Sequence, residues 1–167
     1  MTTMTTSLVR TRYGDPQDVA AVTALHDRCT DEALYRRFHA PLPHLRTRLV
    51  RQLISPDGGW SLLAEQGDQV VGMACTGPLS SVDLEVGLLV EDASQGRGIG
   101  SRLLGEVAAD ATVRGYRALH CLTQPDNDAV LATIRRTGLR FTPVWGGGLL
   151  RIEMPLVPVG ATLPRRA

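Results

Sequence analysis

The sequence predicts a single α/β (α+β) domain over residues 1–167, and three observations support this fold class. The chain has 167 residues, a usual length for one domain with its own core. Hydrophobic residues make up 43% and charged residues 21% of it, as in an average globular protein. Strand-like and helical patterns follow one another without an internal repeat or a linker between two cores. We expect flexible ends at residues 1–7 and 157–167.

The first third of the chain is predicted to be mainly helical. An alternating pattern predicts an edge strand at Leu8–Tyr13, which ends at Gly14. Asp15 and Pro16 are typical of a helix N-terminus, and apolar spacing continues that helix to about Cys29. Two more helices are predicted, one at Asp31–Phe38 and one around Leu45–Leu53.

The remainder of the chain alternates strands with two helices. Gly67 and Asp68 suit a hairpin turn, and Gly87 inside the third strand suggests a bulge. The predicted strands are Trp60–Glu65, Val70–Thr76, Val82–Val90, Arg117–Leu122, Leu139–Trp145 and Leu149–Leu156. The predicted helices are Ile99–Arg114 and Asn127–Thr137, each followed by a glycine.

The charged residues and cysteines exclude several classes of function. All 18 basic residues are arginine, so chemistry that needs a lysine, such as Schiff-base formation or a Walker A loop, is excluded. A formal net charge of +1 argues against a nucleic-acid partner. Cys29, Cys75 and Cys121 are widely separated, so we expect neither disulfides nor a metal site. Without a signal sequence or a membrane-length apolar run, we expect a cytoplasmic protein with no membrane partner.

A glycine-rich segment, Gln95–Ser101, lies between a predicted strand and a predicted helix. Backbone N–H groups at a helix N-terminus converge on anions, so this turn suits a phosphate or pyrophosphate. The glycine spacing does not match a dinucleotide fingerprint, and the absence of lysine disfavours a nucleotide-binding protein. A tight turn without a ligand is the alternative interpretation.

Gln95-x-x-Gly98-x-Gly100 resembles the Q/R-x-x-G-x-G/A motif of the GNAT superfamily of acyl-CoA-dependent N-acetyltransferases. The resemblance implies a central mixed, mostly antiparallel sheet whose fourth and fifth strands splay apart, with acetyl-CoA (coenzyme A) as cosubstrate in the opening. The cofactor-binding residues that it implies are Leu88, Leu89, Val90, Gln95, Gly96, Arg97, Gly98, Ile99, Gly100, Ser101 and Asn127.

The expected reaction needs a base, because an ammonium must lose its proton before it attacks a thioester. Glu85 is the leading candidate, since Glu85–Leu88 resembles the GNAT strand that carries a glutamate base, and Asp83 is the second candidate. Many family members have a tyrosine as general acid where this chain has Ile134. Tyr116, His120, Cys121 or solvent are left as alternatives, although a thiolate leaving group does not require an acid.

The acceptor is expected to be a primary amine, on a small molecule or a protein lysine. Residues 32–38, followed by two prolines, resemble the acceptor-side helix of bacterial Pat-type protein-lysine acetyltransferases. The arginine-rich segment 36–51 suits either an acidic substrate or a solvated helix face. A non-catalytic acyl-CoA-binding or regulatory module of the same fold is the rival hypothesis. Exposed strand edges would permit a homodimer.

Overall fold

The strands of the protein form one seven-stranded mixed sheet. The computed structural model describes residues 8–42 and 44–157, so the ends expected to be flexible lie outside it except for Val157. The strands are β1 (Val9–Tyr13), β2 (Ser61–Gln66), β3 (Gln69–Pro78), β4 (Asp83–Val90), β5 (Ala118–Thr123), β6 (Thr142–Gly146) and β7 (Leu149–Pro155). Their order is β1-β2-β3-β4-β5-β7-β6, and each neighbouring pair is antiparallel except β4 with β5. The predicted α/β fold class is confirmed.

Five helices cover the two faces of this sheet in the part of the chain that the structure describes. They are α1 (Val19–Arg28), α2 (Asp31–Phe38), α3 (Thr47–Ile54), α4 (Ile99–Val113) and α5 (Asp128–Thr137). The buried side chains of α4 and Ile134 of α5 join one core cluster, and those of α1, α2 and α3 join a second. Strands β2, β3 and β4 contribute side chains to both clusters and therefore lie between two helical layers. In the described ranges, no helix is both long and apolar enough to cross a bilayer.

The parallel strands β4 and β5 separate soon after they meet. They pair only at Asp83 with Ala118, Leu84 with Leu119 and Glu85 with His120. Beyond these positions β4 continues to Val90 and β5 to Thr123 without pairing to each other. The expected splay of the fourth and fifth strands is confirmed, and it leaves an opening inside the sheet.

The bulge predicted at Gly87 is wrong. Strands β3 and β4 pair in continuous register from Gly72–Val90 to Pro78–Leu84. The register shift lies instead between Ala64 and Glu65 of β2. Gly87 occupies a regular strand position, and its lack of a side chain has a different cause, since the Arg37 side chain of α2 lies against it.

Candidate active site

The opening between β4 and β5 contains a cavity of about 530 Å³, within the usual range for small-molecule sites. Its walls come from α2, β4, the glycine-rich turn, α4, β5 and α5. Nearly all of the predicted site residues line it, namely Glu85, Leu88, Leu89, Val90, Gln95, Gly96, Gly98, Ile99, Gly100, Ser101 and Asn127. Segments that are far apart in the sequence therefore meet in one cavity.

The glycine-rich turn is shaped by two glycines with a left-handed backbone. Gly96 has φ +73° and Gly98 has φ +80°, a region that favours glycine. Gly98 is the N-cap residue of α4, so the first N–H groups of this helix lack intrahelical partners. The Gln95 side chain donates from Nε2 to the Val90 carbonyl oxygen at 3.0 Å, which ties the turn to the end of β4. The turn has the geometry of an anion site.

The opposite wall is held together by contacts between α4, β5 and α5. Ser101 Oγ donates to the Thr133 carbonyl oxygen at 3.1 Å, and Asn127 Nδ2 donates to Thr123 Oγ1 at 2.9 Å. A Cβ atom at Gly100 would lie 3.4 Å from Thr133 Cγ2 and 3.9 Å from Val90 Cγ2. Gly100 therefore lies in the narrow gap between the end of β4 and α5.

Arg97 is the predicted site residue that does not line the cavity. Its side chain is exposed, and its guanidinium group donates to Gln66 Oε1 at 3.0 Å, on β2. Any contribution of Arg97 to a ligand in the cavity is therefore restricted to its backbone N–H group.

Glu85 and Asp83 share one face of β4, but only Glu85 lines the cavity. Glu85 is exposed and lies beside His120 of β5, at the last pair before the two strands diverge. Asp83 Oδ2 lies 3.8 Å from His120 Nε2. The geometry thus favours Glu85 over Asp83 as a group that meets a substrate.

The candidates for a general acid are poorly positioned. Ile134 is buried and lines the cavity without a proton to donate. Tyr116 lies against Trp60, with ring centroids 6.3 Å apart, and neither Tyr116 nor His120 lines the cavity. Cys121 does line it, but burial, with a smaller contribution from the charge of Glu85, raises the pKa of its thiol to about 12. A thiol this weak stays protonated at neutral pH.

The arginine-rich segment does not form one continuous surface. Arg46, Arg48 and Arg51 are exposed, whereas Arg36 and Arg37 line the cavity.

Among the described residues, no group of three or more His, Cys, Asp or Glu side chains is arranged to hold a metal ion.

Helix α2 is tied to the loop after β5 across the opening. Arg36 forms ion pairs with Glu32 at 3.1 Å and with Asp126 at 3.2 Å. The Gln124 side chain contacts His39 Nδ1 at 2.9 Å and donates to the Tyr35 carbonyl oxygen at 3.3 Å. These contacts hold α2, whose residues Ala33, Arg36 and Arg37 line the cavity, against the loop after β5.

Several lining residues lie outside the predicted set, including Ser94, Thr123, Thr133 and Arg136. Thr133 and Arg136 lie one turn apart on α5, a helix that the sequence predicted but whose inward face it did not distinguish. Residues three apart on a helix share one face. Thr133 and Arg136 have this spacing, so they could have been identified once Asn127 placed the start of the helix at the site.

A profile of the "Acetyltransferase (GNAT) family" matches residues 21–139 of the chain. This range contains α2, β4, the glycine-rich turn and α4. A search of curated protein sequences gives no significant match.

Solved structures are similar to nearly the whole chain. The GNAT domain of S. lividans PAT is 27% identical with a TM-score of 0.81, and the match covers 89% of this chain and 90% of that domain. The putative acetyltransferase yncA from Salmonella typhimurium, with its cofactor acetyl-CoA, is 21% identical with a TM-score of 0.72, covering 95% and 99%. A phosphinothricin acetyltransferase from Sinorhizobium meliloti, in complex with acetyl-CoA, is 18% identical with a TM-score of 0.69, covering 93% and 96%.

Proposed function

The chain belongs to the GNAT acetyltransferase family, and from this premise we propose that it transfers the acetyl group of acetyl-CoA to a primary amine. One observation carries the proposal: a single cavity joins a carboxylate, Glu85, to a glycine-rich anion site through an unpaired strand edge. Two of the similar structures contain acetyl-CoA, which supports the same cosubstrate here.

In the proposed complex, the cofactor lies along β4 from the turn toward Glu85. The pyrophosphate accepts hydrogen bonds from the backbone N–H groups of residues 96–100, where the α4 dipole also favours negative charge. The pantetheine follows the backbone of Leu88–Val90, which has no partner on β5. Asn127, at the start of α5, contacts it from the opposite wall.

The reaction then proceeds by direct attack. Glu85 accepts a proton from the acceptor ammonium, directly or through water, and the neutral amine attacks the thioester carbonyl. An N–H group of the open β4 edge stabilises the tetrahedral oxyanion. The C–S bond breaks, the thiolate of CoA leaves with the electron pair, and the attacking nitrogen loses its second proton to solvent, which gives the neutral amide. Solvent supplies the proton of the thiolate, because Cys121, with a pKa near 12, is too weak an acid to do so.

Direct transfer is also favoured over an acetyl-cysteine intermediate. The nucleophilic form of a cysteine is its thiolate. The pKa of Cys121 is raised to about 12, mainly by burial, so almost none of it is thiolate at neutral pH. Ternary-complex kinetics are therefore expected rather than a ping-pong pattern.

The first test is titration of acetyl-CoA into the folded protein, followed by assays of CoA release with a panel of amines. We expect one-to-one binding and amine-dependent release. Binding without release for any amine would favour the non-catalytic module, and displacement of acetyl-CoA by ATP would favour a nucleotide-binding protein.

The role of Glu85 is tested by Glu85→Gln. We expect kcat/KM at neutral pH to fall about 100-fold or more, the usual range for loss of a general base. The defect should narrow at high pH, where the acceptor is already a neutral amine. Asp83→Asn is the matched control, since Asp83 lies on the same strand face outside the cavity. An equal loss at every pH would contradict the assignment of Glu85 as the base.

A further inference from the structure

Helix α2 places an arginine directly on the strand that carries Glu85. The Arg37 guanidinium lies against the backbone of Gly87, where a Cβ atom would overlap its Cζ and both terminal nitrogens. Its Nη2 donates to Cys75 Sγ at 2.9 Å, and its Cζ lies 4.8 Å from the centre of the Phe38 ring. Gly87 is thus the position on β4 that leaves room for this side chain.

The charge of Arg37 has no counterion among the described residues. No carboxylate there lies within 4.0 Å of its guanidinium, and its hydrogen-bond acceptor is a thiol. The adjacent Arg36 differs, because it pairs with both Glu32 and Asp126. Arg37 is also half-buried, and a partly buried cation without a counterion favours binding of an anion.

The phosphates of the cofactor do not suit this role. Gly87 and Val90 are separated by three residues of extended chain, about 10 Å, and the glycine-rich turn lies further on. Arg37 instead shares the face of Glu85, because Glu85 and Gly87 are two residues apart on one strand, a separation of about 7 Å. A carboxylate that accepts a proton and a guanidinium that binds an anion therefore face the same part of the cavity.

We propose that Arg37 binds a carboxylate of the acceptor, so that the preferred acceptor is a small amino acid whose amine reaches Glu85. This inference rests on the proposed amine acetylation and narrows its substrate class. The ion pair between Arg36 and Asp126 and the contact between His39 and Gln124 join α2 to the loop after β5 across the opening, which favours a small acceptor over a protein surface.

The test compares matched acceptors with the full chain. A set of α-, β- and γ-amino acids is assayed, each beside the amine that lacks its carboxylate. The readout is kcat/KM of the amino acid divided by kcat/KM of its matched amine. We expect the best amino acid to exceed its matched amine by about tenfold or more, as for one charge-assisted hydrogen bond. Arg37→Met should lower this ratio by about the same factor, and Arg37→Lys by less.

Gly87→Ala gives an independent variant. The three atoms nearest to the added Cβ all belong to the end of the flexible Arg37 side chain, so the guanidinium should move while the fold remains. The ratio should fall as in Arg37→Met, even though the arginine is still present. Arg48→Met is the control and should leave the ratio unchanged, because Arg48 is exposed on α3 and does not line the cavity.

The remaining outcomes overturn the inference. An equal loss for both members of each pair in Arg37→Met would assign Arg37 to the transfer step or to the fold. A wild-type protein that prefers plain amines or lysine peptides would exclude carboxylate recognition. Binding of acetyl-CoA without turnover of any amine would contradict the proposed function itself, which is a distinguishable result.

Discussion

Two glycines at the start of α4 are required for different reasons. Gly98 has φ +80° and open space around its Cα, so a side chain there costs backbone strain. Gly100 is helical, and a Cβ there would lie between Thr133 and Val90, inside the cavity. Gly98 therefore serves the conformation of the turn, whereas Gly100 keeps the ligand space open.

This difference predicts that two alanine substitutions affect different properties, one the free energy of unfolding and the other acetyl-CoA binding. Gly98→Ala should lower the free energy of unfolding by about 1–2 kcal/mol, the cost of a left-handed non-glycine residue. Gly100→Ala should leave the free energy of unfolding nearly unchanged and weaken acetyl-CoA binding at least tenfold. Urea denaturation and calorimetric titration of both variants measure the two quantities.

Gly105 of α4 provides the control for these substitutions. A Cβ at this position would meet no neighbour, and the backbone is helical, so Gly105→Ala should affect neither binding nor strain. If Gly100→Ala binds acetyl-CoA as tightly as Gly105→Ala does, the cofactor does not pass through this gap.

At the scale of elements, local signals predicted most of the secondary structure. Helix α2 occupies Asp31–Phe38 as expected, because the Thr30 hydroxyl accepts the Ala33 N–H and His39 ends the helix with φ +58°. The short 3-10 turn Asp92–Ser94 was not predicted, since it depends on contacts of Glu91 that have no periodic pattern. The bulge predicted at Gly87 was wrong because the glycine leaves room for the Arg37 side chain, which belongs to another element, α2.

Apart from Asn127, which the family resemblance implied, the candidate site was predicted only where it is continuous in the sequence. Glu85 to Ser101 forms one strand, turn and helix, and a motif marks it. Arg37 enters the cavity from α2 and Arg136 from α5, and their proximity depends on how these helices pack. Neither residue has a neighbour in the sequence that distinguishes it from the adjacent Arg36 or Arg135.

Three elements at the edge of the sheet are joined by Arg12 of β1. Its guanidinium binds both carboxylate oxygens of Asp18, at 2.7 and 2.8 Å, just before α1, and Glu65 of β2 at 2.7 Å. The hydrogen bonds from Arg12 are the main reason that the pKa of Asp18 lies below its usual value of 3.8. Since the folded-state pKa is the lower one, this stabilisation is present above pH 4 or so and is lost as the pH falls through the pKa of Asp18.

Arg12→Gln should therefore lower the free energy of unfolding by about 1 kcal/mol at pH 7, given that Arg12 is partly solvent-exposed. The difference from the wild type should shrink as the pH falls below about 4. Urea denaturation between pH 7 and pH 3 measures it, with Arg151→Gln on an exposed position of β7 as control. Burial lowers the pKa of His26, so protonation of this residue at low pH destabilises the wild type and Arg12→Gln equally. It therefore does not affect the difference between them. A difference that is constant with pH would show that Arg12 does not act through Asp18.

At the scale of the whole molecule, the sheet consists of two parts with a narrow connection. Strands β1 to β4 form one part and β5 to β7 the other, joined by three residue pairs between β4 and β5. Beyond Glu85 and His120 the two parts are connected through helices, as in the hydrogen bond from Ser101 of α4 to Thr133 of α5. A cofactor in the cavity would contact both parts where the strands do not.

This architecture predicts where acetyl-CoA protects the backbone from hydrogen exchange. We expect the largest slowing at Gly87–Val90, at Cys121–Thr123 and at the start of α5, because the ligand would bridge strand ends that have no partner across the opening.

Helix α3, which contributes to the other core cluster, is the internal control. The exchange rates of those α3 amides that exchange by local opening should change least. At 100 times its Kd, the ligand adds about 2.7 kcal/mol to the free energy of global unfolding, which slows only the amides that need global unfolding to exchange. Gly100→Ala at the same ligand concentration should lose the local protection. Equal slowing in α3 and in the strand ends would mean that the ligand stabilises the whole domain without bridging the opening.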